Sequence, residues 1–276
     1  MGTLHDWQWP PWDPAIASQP RYHFSQGTWT REVSDVVIEY PLTVFINGQQ
    51  YVTAIITPTH VREWVLGFLA SEGFIKKPDE ISIYQHHVDE GQVWIRIPGL
   101  SRNRLSHEFG RTLTSCCGQS RASGALALDV THIPPIPATN DLAISPKTIT
   151  TLFERLSDWS RTQHTGGLHV AGLCHSGHLS AVRADVGRHN ALDKIHGHCL
   201  VNNTNASQAV LLFSGRLSSE VIVKVAKMGC PVVASNAAPT SLGIEIAQTL
   251  GMTAIGFIRD GEFSVYSHPE RVLGLG

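Results

Sequence analysis

The last quarter of the chain constrains the fold most tightly. From residue 209 it alternates: AVLLF (209–213) reads as a strand, 217–228 as a helix, PVVAS (231–235) as a strand, 240–250 as a helix and TAIGF (253–257) as a strand. Short apolar runs separated by helical patterns and short links predict a parallel sheet with right-handed crossovers. The fold class expected is therefore α/β.

The chain before it has a different texture. Residues 1 to about 30 read as an irregular arm, because WQWPPWDP places three of the seven tryptophans in the first twelve positions and Pro10, Pro11 and Pro14 oppose regular structure. So much aromatic area predicts an arm lying across a neighbouring surface or a partner. Regular structure is expected from Val36, with two β-rich runs meeting at Asn47-Gly48, a strong hairpin signal. Thr57 reads as a helix N-cap with Pro58 in the first turn. Val61, Trp64, Val65, Phe68 and Leu69 then form one apolar face that ends at Gly73. Residues 81–98 read as a strand pair about Asp89-Glu90-Gly91, and Ser145-Pro146 opens a second helix running to about Arg161. TGGLHVAGLC (165–174) and GHLSAVRADVG (177–187) read as a hairpin, followed by a short helix from Asn190. The boundaries expected are an arm (1–30), a smaller N-terminal α+β part rich in hairpins (31–113), a cysteine loop and linker (114–140) and a C-terminal α/β domain (141–276). There is no internal repeat and no low-complexity segment.

Composition removes several function classes. The formal net charge is −2, so no global field points to nucleic acid or an anionic membrane, and an anionic ligand needs local groups. No apolar run reaches membrane-spanning length, and the N-terminus lacks the basic and apolar regions of a signal peptide. Five cysteines do not suggest a disulfide framework. A cytoplasmic protein with reduced thiols is expected. The fifteen histidines are scattered, and no metal site is expected. No GxGxxG follows a strand and no Walker A sequence occurs. The His-x-Glu and Pro-Cys-x-x-Cys of a zinc deaminase are missing, as is the GxSxG of a serine hydrolase.

TSCCGQSRASG (114–124) sets Cys116 and Cys117 side by side in a polar, glycine-bearing run. Gly118 and Gly124 give it mobility, and Arg111 and Arg121 favour a thiolate. The alternative is a surface loop with two incidental thiols. Cys174, Cys199 and Cys230 lie in or beside apolar stretches and read as structural.

Ligands of a parallel sheet bind beyond the carboxyl ends of its strands. Three such ends can be read: Ser214-Gly215-Arg216, Asn236 through Thr240 leading into a helix N-terminus, and Ile258-Arg259-Asp260-Gly261. Arginines and free helix N–H groups there suit a phosphorylated, nucleotide-like ligand; ordinary βα turns are the alternative. His169 follows two glycines in TGGLH, and Arg188, His189 and Asn190 crowd a helix start. Asp193 and Lys194 read equally as a solvated helix face.

With those motifs in hand, the chain resembles the FdhD family of formate dehydrogenase accessory sulfurtransferases from about Val36 to Val272. The resemblance is carried by TSCCG, TGGLHVAGL, VRADVGRHNALDKIHG, FSGRLSSEVIVKVAKMGCPVVASNAAPTSLGIEIA and IGFIRDGEFSVYSHPERV. It implies a cytidine-deaminase-like C-terminal sheet without the metal, and a homodimer. It also implies relay of persulfide sulfur from a cysteine desulfurase to the bis-molybdopterin guanine dinucleotide cofactor of formate dehydrogenase. Phe257, Ile258, Arg259, Asp260, Gly261 and Glu262 match the segment that the family associates with this guanine-nucleotide-containing ligand. The family's loop typically reads Ser-Cys-Gly-x-Cys, and its first cysteine, which carries the persulfide, falls at Cys117. Here the second cysteine is replaced by Ser120, and Cys116 stands where serine is usual. A relay through position 120 is thereby excluded, which leaves Cys117 acting with Cys116 a helper at most, or a chaperone that binds the cofactor without thiol chemistry.

Overall fold

The structure is a computed structural model that describes residues 16–100, 111–113, 130–137, 141–163 and 166–275. The chain opens with a two-stranded hairpin, β1 (Ile16–Ser25) and β2 (Thr28–Val37). This overturns the irregular arm over its second half. Gln26 and Gly27 both have positive φ, the geometry of a type I′ turn, whose twist matches that of the flanking strands. Pro20 is tolerated because, among the described residues, no third strand pairs with the hairpin to receive a bond on its outer side.

A five-stranded sheet follows, built from β3 (Tyr40–Ile46), β4 (Gln49–Ile56), β5 (Ile83–His87), β6 (Gln92–Arg96) and β7 (Arg111–Leu113), in the order β5-β6-β3-β4-β7. The turn at Asn47-Gly48 falls where the sequence places it. One face of this sheet packs on helix α1 (Val61–Ser71), burying Trp64, Val65, Phe68 and Leu69. The helix begins three residues later than expected, after His60, whose φ is 52°. Thr57 does not cap it, because its polar groups tie the two halves of the chain together. Its N–H donates to Asp185 Oδ2 (3.0 Å), its hydroxyl accepts from Val186 N (3.0 Å) and its carbonyl accepts from Lys194 Nζ (2.9 Å).

The second sheet has six strands: β8 (His169–His175), β9 (His178–Asp185), β10 (Ala209–Phe213), β11 (Val232–Ser235), β12 (Thr253–Arg259) and β13 (Glu262–Ser267). The order is β13-β12-β11-β10-β8-β9. The three strands read from the alternation are parallel, as expected. The sheet is nonetheless mixed, because β8 runs antiparallel to β10 and β13 antiparallel to β12. Helix α2 (Pro146–Thr162) covers one face with Ile149, Leu152, Phe153 and Leu156, one stripe at helical spacing. Ser145 caps it, accepting from Thr148 N at 3.1 Å.

Helices α3 (Arg188–Asn202), α4 (Ser219–Lys227) and α5 (Ser241–Thr249) cover the other face. Helix α3 runs fifteen residues and is not the short helix expected. It lies between the six-stranded sheet and α1, so both its sides are buried. Its crossing with α1 is made at glycines: a Cβ on Gly67 would lie 1.8 Å from Asp193 O, and one on Gly197 1.8 Å from Glu63 O. No side chain fits there, and the missing Cβ atoms let the two backbones touch.

Candidate functional site

The ends of β10, β11 and β12 come together beside α2. Two serines fasten their loops. Ser214 N donates to Val170 O (3.0 Å) while its hydroxyl accepts from Val170 N (2.8 Å), which locks the first loop to β8. Ser235 donates to Gly215 O (2.7 Å) and accepts from Ala237 N (3.0 Å), joining the second loop to the first. Gly215 lies flat on Phe213, where a Cβ would stand 2.7 Å from the ring. Thr240 is the N-cap of α5 and accepts from Gly243 N at 3.1 Å. One of the N–H groups read as anion ligands is thus already engaged within the chain.

The third end is a hairpin turn and not a strand-to-helix loop. Strand β12 continues to Arg259, and Asp260 and Gly261, both with positive φ, return the chain into β13, where Glu262 pairs with Arg259. Phe257 sits in a register shift with φ 57° and is 39% exposed, whereas Ile258 is buried in the core beneath α2. Ile258 can therefore shape a ligand site from below.

Two adjoining cavities occupy this side. One of about 260 Å³ is lined by Leu156, Ser160, Val170 and Ser214 among others. The second, about 400 Å³, is lined by Thr150, Glu154, Arg259, Asp260 and Gly261 among others. Phe153, Ser157, Arg161 and Asn236 border both. Ser214, Asn236, Arg259, Asp260 and Gly261 are thus brought together; Arg216, Thr240 and Glu262 are not among the lining residues. The contribution of α2 was missed in the sequence. Its only sign there is polar residues on the helix face flanking the apolar stripe, a pattern that any surface helix shows. Two arginines, an amide and small hydroxyls around an open groove suit a phosphate-bearing ligand.

The GRHN run divides. Arg188 and His189 lie in the first turn of α3, near His169 at the start of β8. Burial pushes the His169 imidazole below its ordinary pKa, with Arg188 and His189 adding to the effect. His189 Nε2 lies 3.2 Å from Glu220 Oε2, and this imidazole holds the Glu220 carboxyl below its ordinary range. Glu220 too was missed, since an acidic residue in a first helical turn reads as dipole compensation.

Asn190 instead turns inward. It accepts from Trp64 Nε1 (3.0 Å) and donates to Ile55 O and Asp185 Oδ1 (both 2.9 Å). Asp193 and Lys194 are not a solvated face: they are 1% and 0% exposed. Lys194 Nζ lies 2.7 Å from Asp185 Oδ2 and also donates to Ala184 O. Burial pushes its ammonium below the usual range while Asp185 opposes that shift. Asp193 accepts from Ser71 Oγ at 2.8 Å and pairs with Lys224. These groups hold α1 to α3.

Cys174, Cys199 and Cys230 are buried, as expected. Burial pushes their thiols up to about 12, about 11 and about 12 respectively. Cys116, Cys117 and Ser120 lie outside the described residues. Among the described residues no group of three or more His, Cys, Asp or Glu is placed to hold a metal ion. No helix of these residues is long and apolar enough to cross a membrane.

Fold and groove together define an α/β protein with a mixed sheet whose strand ends open onto an arginine-bordered cleft. Within that class the chain belongs to the FdhD/NarQ family, whose model matches residues 37–273. It is 40% identical over 263 residues to the sulfur carrier protein FdhD of Bacillus subtilis (strain 168), covering 94% of this chain and 98% of that protein. The sulfur carrier protein FdhD of Listeria innocua is 38% identical, with 93% of this chain and 98% of that one covered. A crystal structure from Desulfotalea psychrophila, of a protein assigned as a formate dehydrogenase accessory protein, superposes with a TM-score of 0.74 at 24% identity. It covers 94% of this chain and 100% of its own, and this likeness supports the fold. The family resemblance read from the motifs is confirmed.

Proposed function

We propose that this protein is a cytoplasmic sulfur carrier in formate dehydrogenase maturation. In this reading the Cys117 thiolate attacks the sulfane sulfur of a cysteine desulfurase persulfide; a Cys117 S–S bond forms and the desulfurase thiolate leaves. The sulfur then passes to the bis-molybdopterin guanine dinucleotide cofactor, the substrate to be activated before it enters the dehydrogenase. The names of the relatives support the sulfur-carrier part.

The observation that carries the reading is the burial of the other thiols. A sulfur relay needs an accessible thiolate, and Cys174, Cys199 and Cys230 are 2%, 7% and 0% exposed with raised pKa values. Only Cys116 and Cys117 are left to do this work. Arg161 and Arg259 at the groove suit the cofactor's phosphates, and the carboxylates of Glu154 and Asp260 beside them can accept the N–H groups of guanine.

A second reading is favoured by Ser120: without the second cysteine, the protein binds and hands on the cofactor but carries no sulfur. Intact-mass analysis after incubation with a cysteine desulfurase and cysteine separates the two. A ~32 Da adduct is expected on wild type and Cys116→Ala and is expected to be lost in Cys117→Ala. No adduct on wild type, with guanine-nucleotide binding retained, would establish the second reading.

A further inference from the structure

A second polar cluster lies at the end of the six-stranded sheet where β10 runs out, on the face away from the groove. Along β8, Val170 packs on the α2 side and Ala171 on the side of α3 and α4, so alternation puts His169 on the α3 and α4 side. Asp185, opposite His169 in β9, leads into α3, whose first turn carries Arg188 and His189. Helix α4 brings Glu220 to this place, and Lys224, one turn further on, also acts on its carboxyl. The His189 and Glu220 side chains are 16% and 28% exposed, sheltered yet within reach of a visitor. Ser218, the residue before α4, makes no capping bond. Its hydroxyl is buried and has no hydrogen-bond partner among the described residues. A leftover buried hydroxyl needs a reason in a native fold, and a polar group that arrives only during a reaction supplies one.

The imidazole at 189 is set as a base is set. Its Nε2 lies 3.2 Å from Glu220 Oε2 without the alignment of a full hydrogen bond, a looseness usual in a catalytic pair before its substrate is bound. His189 holds the Glu220 carboxyl below its ordinary range, so Glu220 is a carboxylate. With Nε2–H directed at that carboxylate, Nδ1 keeps the lone pair that accepts a proton. A base oriented by a third group is the arrangement that activates a thiol. The sheet also aims the relay cysteine's strand at this place. Strand β7 runs parallel to β4, with Leu113 beside Ala54, and the next residue of β4, Ile55, accepts through its carbonyl from Asn190 Nδ2 at 2.9 Å. One strand spacing, about 4.8 Å, and one side-chain contact thus separate β7 from the start of α3. Cys117 follows Leu113 by four residues, a length that spans up to about 14 Å.

We infer that His189 is the proton carrier of the sulfur transfer and that Glu220 is the residue positioning it, an inference that rests on the sulfur-carrier reading. Nδ1 takes the proton of the Cys117 thiol, and the thiolate bonds to the terminal sulfur of the desulfurase persulfide. The donor S–S bond breaks with its electron pair on the desulfurase cysteine, which receives the proton back from the imidazolium. One S–S bond forms, one breaks, and nothing is oxidised overall. Time courses of the ~32 Da adduct, by quenched intact-mass analysis of the full chain with a cysteine desulfurase and cysteine, test it. His189→Gln keeps a donor toward Glu220 but carries no proton. Its adduct should form at least about a hundredfold more slowly than on wild type, with the desulfurase concentration for half-maximal rate unchanged. His189→Ala should be as slow, and added imidazole should speed it at least about tenfold. Glu220→Gln should slow loading about tenfold, and should add nothing further when combined with His189→Gln. Loading of His189→Gln at the wild-type rate would give the imidazole a packing role and overturn the inference, leaving the sulfur-carrier reading intact. Slow His189→Ala loading that imidazole does not speed would overturn it as well. Losses that add in the double variant would remove Glu220 from the assignment. No adduct on wild type would overturn the sulfur-carrier reading and the inference with it.

Discussion

Two regions rich in polar side chains lie in the C-terminal half, and they use those side chains in opposite ways. At the junction of α1 and α3, Asp185, Asn190, Asp193 and Lys194 are buried and saturated with partners from both halves of the chain. At the groove beside α2, Arg161, Asn236, Arg259 and Asp260 are exposed and border open cavities. Buried polar groups must find partners within the fold, whereas groups at a cleft are left for a ligand. One short motif, VRADVGRHNALDK, spans two environments. Arg188 and His189 gather beside His169, and the residues after them fasten the helices.

The contrast breaks most visibly at Lys194. Lys194→Met leaves the Asp185 carboxylate buried without its counter-charge, which should cost about 3–5 kcal/mol in urea unfolding. Adding Asp185→Asn removes the stranded charge and should recover part of that loss. A cost under about 1 kcal/mol for Lys194→Met would show that the pair does not hold the junction.

His196 sharpens the same point through pH. Burial, with Lys224 and Lys227 nearby, pushes its imidazole down to about 3, and Ser71 Oγ lies 3.3 Å from its Nδ1. The native state therefore keeps His196 neutral, while the unfolded chain takes up a proton below about 6.5. Its contribution is complete above that pH and is lost as pH falls toward about 3, by about 1.4 kcal/mol per pH unit. Unfolding free energies between about pH 6.5 and 4.5 should fall less steeply for His196→Gln than for wild type. Equal slopes would mean that the imidazole protonates freely in the fold.

Arg161 should give the smallest stability effect. It is exposed and pairs only with Asp158 one turn earlier among the described residues, so Arg161→Ala should change stability by less than about 0.5 kcal/mol. Calorimetric binding of a guanine nucleotide should nonetheless weaken about tenfold if the groove holds phosphate. The reverse outcome, lost stability with binding intact, would make Arg161 structural and erase the contrast between the two regions.

Much of the fold was legible because its signals are local. The turn at Asn47-Gly48, the cap at Ser145 and the strands at 209–213 and 253–257 all depend on a few neighbouring residues. The hairpin of residues 16–37 was hidden by the prolines and tryptophans before it and by a Gln-Gly turn weaker than Asn-Gly. Helix α3 looked short because a helix buried on two sides has no single apolar stripe. Two of the strand ends were read correctly as strand-to-helix loops; the third proved to be a hairpin, since nothing in IRDGEF distinguishes a loop from a turn before β13 is known.

The sequence by itself determined the α/β alternation, the family and the two adjacent cysteines. Tertiary structure alone decided which polar residues are fasteners and which face open space. Trp64 meets Asn190 and Thr57 meets Lys194 across more than a hundred residues of chain. Turns and caps are settled by neighbours in sequence, but whether a buried charge has a partner depends on residues that only folding brings within hydrogen-bond reach.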